Sequence, residues 1–143
     1  MNSGLRLNYC REAALKKDSF QARLQARMEK IMQEFSLEGI ALFDARGLLI
    51  ECIAPYPLIS LMEIVASYGL VLQEQIRNRR INELTLVVDR RYRIVNGYFG
   101  IHDELFVIVL LLIPDQQYNN LLQLSIAELQ QLLEERYPKR IRR

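Results

Sequence analysis

The stretch Leu105–Ile113, LFVIVLLLI, decides how the rest of this chain must fold. Nine apolar residues in a row, rich in Val, Ile and Phe and closed by Pro114, describe a strand buried on both faces, because a half-exposed strand would alternate with polar residues. Such a strand needs neighbours on either side and helices above and below. It falls far short of the roughly 20 residues that cross a bilayer, and Asp103, Glu104 and Asp115 bracket it with charge. Burying nine large apolar side chains is worth at most about 14–27 kcal/mol at ~1.5–3 kcal/mol each, an upper bound because the unfolded chain already hides some of that surface.

Immediately upstream, Glu83 to Asp89 (ELTLVVD) has the β-branched content of a strand. Tyr92 to Phe99 (YRIVNGYF) alternates as its hairpin partner, with Arg90-Arg91 as the turn between them. Downstream of Pro114, a helix is expected from about Asp115 to Arg136, with Tyr118, Leu121, Leu122, Ser125, Leu129, Leu132 and Leu133 on one stripe and Pro138 beyond its end.

The first half of the chain supplies the other neighbours. Phe20, Leu24, Met28, Ile31, Met32 and Phe35 recur at three- and four-residue steps after Asp18 or Ser19, plausible N-caps, and predict an amphipathic helix ending near Ser36. Gly39–Phe43 and Leu48–Ile53 are short apolar runs, and Asp44-Ala45-Arg46-Gly47 between them has the chemistry of a turn. Pro55 and Pro57 stop the second strand and lead into a helix from about Leu58 to Asn78. Residues 1–18 read as an N-terminal arm, 19–136 as one domain, and 137–143 as a basic C-terminal tail.

The middle helix has an unusual surface. Leu58, Ile59, Leu61, Met62, Ile64, Val65, Tyr68, Leu70, Val71, Leu72 and Ile76 are spread around its circumference. A helix apolar all round is buried on more than one side, and one sheet face in a domain of 143 residues cannot cover it. Its outer side is therefore expected to meet a second copy in a two-fold dimer, the alternative being burial within one domain by the helix and the N-terminal arm together. Both hairpins must border the long apolar strand if it is to be buried, which gives the spatial order 2-1-5-4-3 in an antiparallel sheet. The strand with Leu84, Leu86 and Val88 then lies at an edge, where an apolar strand invites pairing with another chain. The expected dimer interface is Leu61, Ile64, Val65, Tyr68, Leu72, Leu84, Leu86 and Val88.

Composition adds exclusions. Half of the residues are hydrophobic and the net charge is +2, so one core folds without metals or disulfides and no strongly basic nucleic-acid binder is announced. Cys10 and Cys52 are too few and too far apart for a disulfide framework. The first ten residues hold no apolar run long enough for a signal peptide, and a cytoplasmic protein is expected. His102 has no Ser or Cys neighbour that suggests a nucleophile, and IHDE reads as a solvated turn. Nothing in the spacing of Asp44, Glu51 and Asp89 recommends a catalytic pair. No phosphate-binding loop, metal-ligand motif or nucleophile elbow is present, so no catalytic residue, cofactor or metal is assigned.

Six arginines within seventeen residues are harder to dismiss. Arg77, Arg79 and Arg80 are placed at the end of the second helix, and Arg90, Arg91 and Arg93 on the next hairpin. If helix end and hairpin tip approach one another, they form a positive patch for a partner, with Tyr92 and Tyr98 beside it as packing residues or, less expectedly, as stacking platforms for nucleic acid.

The element order, Gly39 leading into a strand, the Asp44-x-x-Gly47 turn, the apolar middle helix and the last strand followed by a Leu-rich helix together resemble a roadblock domain, of the roadblock and dynein light chain family. The resemblance covers about Phe20 to Glu135. It implies an α+β, roadblock/profilin-like fold, α-β-β-α-β-β-β-α, with a five-stranded sheet between one helix and two. It also implies homodimerisation through the middle helix and third strand, and a non-catalytic role regulating or scaffolding a small Ras-like GTPase, as GTPase-activating partner or adaptor. Bacterial members of the family include such partners in polarity and motility systems. The Arg-rich segments and basic tail are not features of that pattern. The other reading is a sensor domain of related architecture whose apolar residues line a small-molecule pocket.

Overall fold

A computed structural model of the chain describes residues 19–118 and 120–137. The expected N-terminal arm and, beyond Tyr137, the basic tail lie outside the described residues. The elements run α1 (Ser19–Phe35), β1 (Gly39–Asp44), β2 (Leu49–Ile53), α2 (Tyr56–Gln75), β3 (Glu83–Val88), β4 (Tyr92–Ile101), β5 (Glu104–Leu112) and α3 (Leu121–Arg136). The five strands form one antiparallel sheet in the order β2-β1-β5-β4-β3, as the burial argument for the apolar strand predicts.

β5 is the central strand. It pairs with β1 from Gly39↔Leu111 to Asp44↔Phe106 and with β4 from Arg93↔Leu112 to Ile101↔Glu104. Every residue from Phe106 to Leu112 is buried. Because side chains alternate along a strand, Phe106, Ile108, Leu110 and Leu112 enter the core under α1 and α3, while Val107, Val109 and Leu111 enter the core under α2. The helices at the two ends of the described chain thus share one face, and the middle helix takes the other.

The β1–β2 turn forms where its residue types predict. The Asp44 carboxylate accepts from the backbone N–H groups of Arg46 and Leu48 at 2.9 and 3.0 Å, and Gly47 sits at φ +81°, where a Cβ would be strained. The β3–β4 turn is centred one residue earlier than the sequence suggests. Asp89 and Arg90 are its two corner residues, at φ 54° and 55°, and Arg91 N–H donates to Val88 O at 3.0 Å. Two consecutive left-handed residues match the twist of a tight hairpin.

Three helix boundaries differ from expectation: α2 begins at Tyr56 rather than Leu58, with Pro57 taken into its first turn, and side chains explain the other two. α2 ends at Gln75 rather than near Asn78. The Gln73 amide donates to Arg79 O at 2.8 Å and accepts from Ile81 N–H at 2.6 Å, tying residues 76–82 into a loop. α3 begins at Leu121 rather than at Asp115. Gln116 donates from its side chain to Phe35 O at 2.6 Å, and Arg93 donates to Gln116 O at 3.3 Å, so the segment after Pro114 is spent closing the end of α1.

Candidate functional site

α2 lies against β4 and β5. Its core side is Ile59, Met62, Val65, Ala66 and Gly69. At 100° per residue, Ser67 and Leu70 fall on one flank, and the Ser67 hydroxyl approaches the β1–β2 turn at Gly47. Leu61, Ile64, Tyr68 and Leu72 fall on the other flank, toward β3. Ile64 is 65% exposed, Tyr68 58% and the outward-facing Val71 54%. β3 continues this surface: Leu84, Leu86 and Val88 alternate onto the α2 side, with Leu84 and Val88 half-buried and Leu86 38% exposed.

Of the eight residues expected at an interface, the structure brings seven into one open apolar strip along α2 and the sheet edge. Val65 is the exception: it is 4% exposed and holds the helix to the sheet. The helix is thus not buried all round. It has one packed side and one open apolar side, and its length and apolar composition, which would suit a bilayer, serve a helix docked on a sheet.

A polar contact unreadable from the sequence fixes how α2 is docked. Asn96, fully buried on β4, donates from its amide to Val65 O at 3.0 Å and to the Tyr98 hydroxyl at 3.1 Å. The Tyr98 ring passes directly beneath Gly69, where a Cβ would overlap the hydroxyl oxygen. Burial pushes the Tyr98 hydroxyl above its ordinary pKa of 10.0, with the Asn96 hydrogen bond pulling the other way. Tyr98 is therefore a packing residue, with no face free to stack a base.

The arginines do not form one patch within the chain. Arg77, Arg79 and Arg80 occupy the loop that precedes β3, while Arg90 and Arg91 occupy the turn that follows it. Six residues of strand hold the two groups about 20 Å apart at ~3.3 Å per residue. Arg93 belongs to neither group: half-buried, it reaches the segment before α3, with its guanidinium 5.5 Å from the centre of the Tyr118 ring. Tyr118 in turn donates to the Glu83 carboxylate at 3.1 Å. Arg77, Arg79, Arg80, Arg90 and Arg91 are all exposed, and none forms a salt bridge to a described residue.

The candidate acids are dispersed. Asp44 is engaged by its own turn, Glu51 is buried under α1 and accepts from the Gln21 amide at 2.7 Å, and Asp89 stands at the far edge of the sheet. His102 is exposed in the β4–β5 turn. Among the described residues no three His, Cys, Asp or Glu side chains gather as metal ligands would. A cleft of about 380 Å³ opens between α2 and the β1–β2 turn, lined in part by Arg46, Ser67, Leu70 and Glu74, and another of about 230 Å³ lies between α1 and α3. Both are surface features. Between α2 and the sheet, Met62, Ile94 and Val107 are buried together in one apolar cluster.

No protein-family model matches the sequence, and no curated protein matches it. Solved structures match its fold. Myxococcus xanthus MglB has a TM-score of 0.61 at 14% identity, covering 80% of this chain and 97% of that one. The gliding protein MglB from Thermus thermophilus has a TM-score of 0.60 at 16% identity, covering 82% and 93%. An MglB with a tetrameric arrangement has a TM-score of 0.60 at 14% identity, covering 83% and 93%. The chain therefore has the roadblock fold of the MglB proteins.

Proposed function

We propose that the chain is a homodimeric interaction module that regulates or scaffolds a small Ras-like GTPase, and that two copies meet through the open flank of α2 and the edge of β3. One observation carries the interface. Ile64, Tyr68, Leu86 and their half-buried neighbours form a continuous apolar strip beside a sheet edge whose backbone is free to pair. Contiguous apolar surface of this kind marks association. The GTPase assignment rests on the roadblock fold shared with the MglB proteins.

The interface is tested by the solution mass of the Ile64→Glu and Leu86→Lys variants. Each places a charge on the two-fold seam and is expected to weaken association on the order of 100-fold. Unchanged association in both variants removes this surface from consideration. The function is tested with the purified small Ras-like GTPases of the host, by complex formation and by the rate of GTP hydrolysis with and without the chain. A complex that changes the rate supports regulation, and one that leaves it unchanged supports scaffolding. Failure to bind any of them overturns the assignment.

A further inference from the structure

The two exposed arginine groups stand at opposite ends of the same edge strand, and that placement has a consequence in a dimer. Only a two-fold axis roughly normal to the sheet brings both α2 flanks together on one side while joining the two β3 edges, and such an axis makes the paired strands antiparallel. The loop before β3 of one copy then lies beside the β3–β4 turn of the other. We propose that the seam assembles, at each of its two ends, a composite anion-binding surface in which Arg77, Arg79 and Arg80 of one protomer stand next to the partner's Arg90 and the partner's Arg91, and that this surface docks an acidic patch of a protein. The inference rests on the dimer of the previous subsection.

Three observations support a binding role over solvated charge. None of the five guanidinium groups has a salt bridge to a described residue, although Asp89 lies beside Arg90 in sequence. Arg90 occupies a left-handed corner at φ 55°, where glycine is the least strained choice, so a charged side chain is kept at a conformational cost. The loop that presents Arg77, Arg79 and Arg80 is ordered by the Gln73 side chain rather than left to itself.

Chemistry narrows the partner. Arginine forks match carboxylates in planar, bidentate pairs. A single-stranded nucleic acid also stacks its bases on exposed rings beside the cations, and Tyr98 is buried while Tyr92 is half-buried. In the dimer, five like charges gathered at each seam end repel one another, and an acidic partner relieves that repulsion only when both copies are present. Docking and dimerisation are therefore coupled.

The test uses the full chain and a fluorescein-labelled hexaglutamate peptide, followed by anisotropy at low salt. The Arg79→Glu/Arg80→Glu and Arg90→Glu/Arg91→Glu chains are each expected to bind the peptide about tenfold more weakly than the unaltered chain, while remaining dimeric. Mixing the two altered chains is the decisive step. A heterodimer carries both alterations at one seam end and neither at the other, so it regains one site of unaltered affinity per dimer. Dimers that regain nothing on mixing, or that bind equally well with either alteration, overturn the composite site alone. A monomeric unaltered chain overturns the dimer and the site together. Tighter binding of a single-stranded RNA or of anionic phospholipid vesicles than of the peptide, lost in the same variants, overturns the assignment to an acidic protein.

Discussion

At the scale of single residues, Gly69, Tyr98 and Asn96 decide how α2 is fastened, and they reverse what local rules expect. In an exposed helix interior, Gly→Ala stabilises by roughly 0.5–1 kcal/mol. Here the new methyl group would occupy the space of the Tyr98 hydroxyl, so Gly69→Ala is expected to destabilise by about 1–3 kcal/mol, read from urea denaturation. Asn96→Ala leaves the Tyr98 hydroxyl and the Val65 carbonyl without their donor and is expected to cost about 1–3 kcal/mol in the same measurement. Tyr98 also sets an alkaline limit. The folded chain holds its phenolic proton above the ordinary 10.0, whereas the unfolded chain releases it there. The folded state then binds more protons, and stability falls as pH rises through and beyond 10. Tyr98→Phe should remove that portion of the alkaline loss; an identical pH profile in the variant would show that the loss originates elsewhere. None of this was legible in the sequence, where Asn96-Gly97-Tyr98 is an ordinary run in a strand and its contacts lie on a helix about thirty residues away.

At the scale of elements, legibility followed the range of the forces. The Asp44–Gly47 turn is closed by hydrogen bonds within four residues, and its sequence announces it. The sheet order followed from one long apolar strand that had to be covered on both edges. The end of α2 and the start of α3 were misplaced because Gln73 and Gln116 terminate those segments with side-chain bonds, and Gln116 reaches across 81 residues to Phe35. The Gln73 contacts carry a prediction. Gln73→Ala should speed amide exchange across residues 76–82, most at Ile81, whose N–H loses its acceptor, while β4 and β5 remain protected. Uniform exchange across the domain would indicate global destabilisation instead. A single positive patch requires the helix end and the hairpin tip to meet, and β3 separates the two. Periodicity places residues on an element and says little about which ends of two elements meet.

At the scale of the whole molecule, the domain is a sheet that packs one face against α1 and α3 and the other against α2, with Leu86 and Val87 of the edge strand β3 left exposed. The sequence carried the apolar excess of α2 but not its division into a packed and an open side. That division is what moved Val65 into the core and left Ile64, Tyr68 and Leu86 outside it. The account turns on what covers this open strip. The most direct measurement is the mass of the full chain in solution at micromolar concentration, by light scattering across a sizing column, beside that of Ile64→Glu. The expected result is twice the 16.8 kDa chain mass for the unaltered protein and the single-chain mass for the variant, with matching circular dichroism. An unaltered protein that runs at the single-chain mass would contradict it.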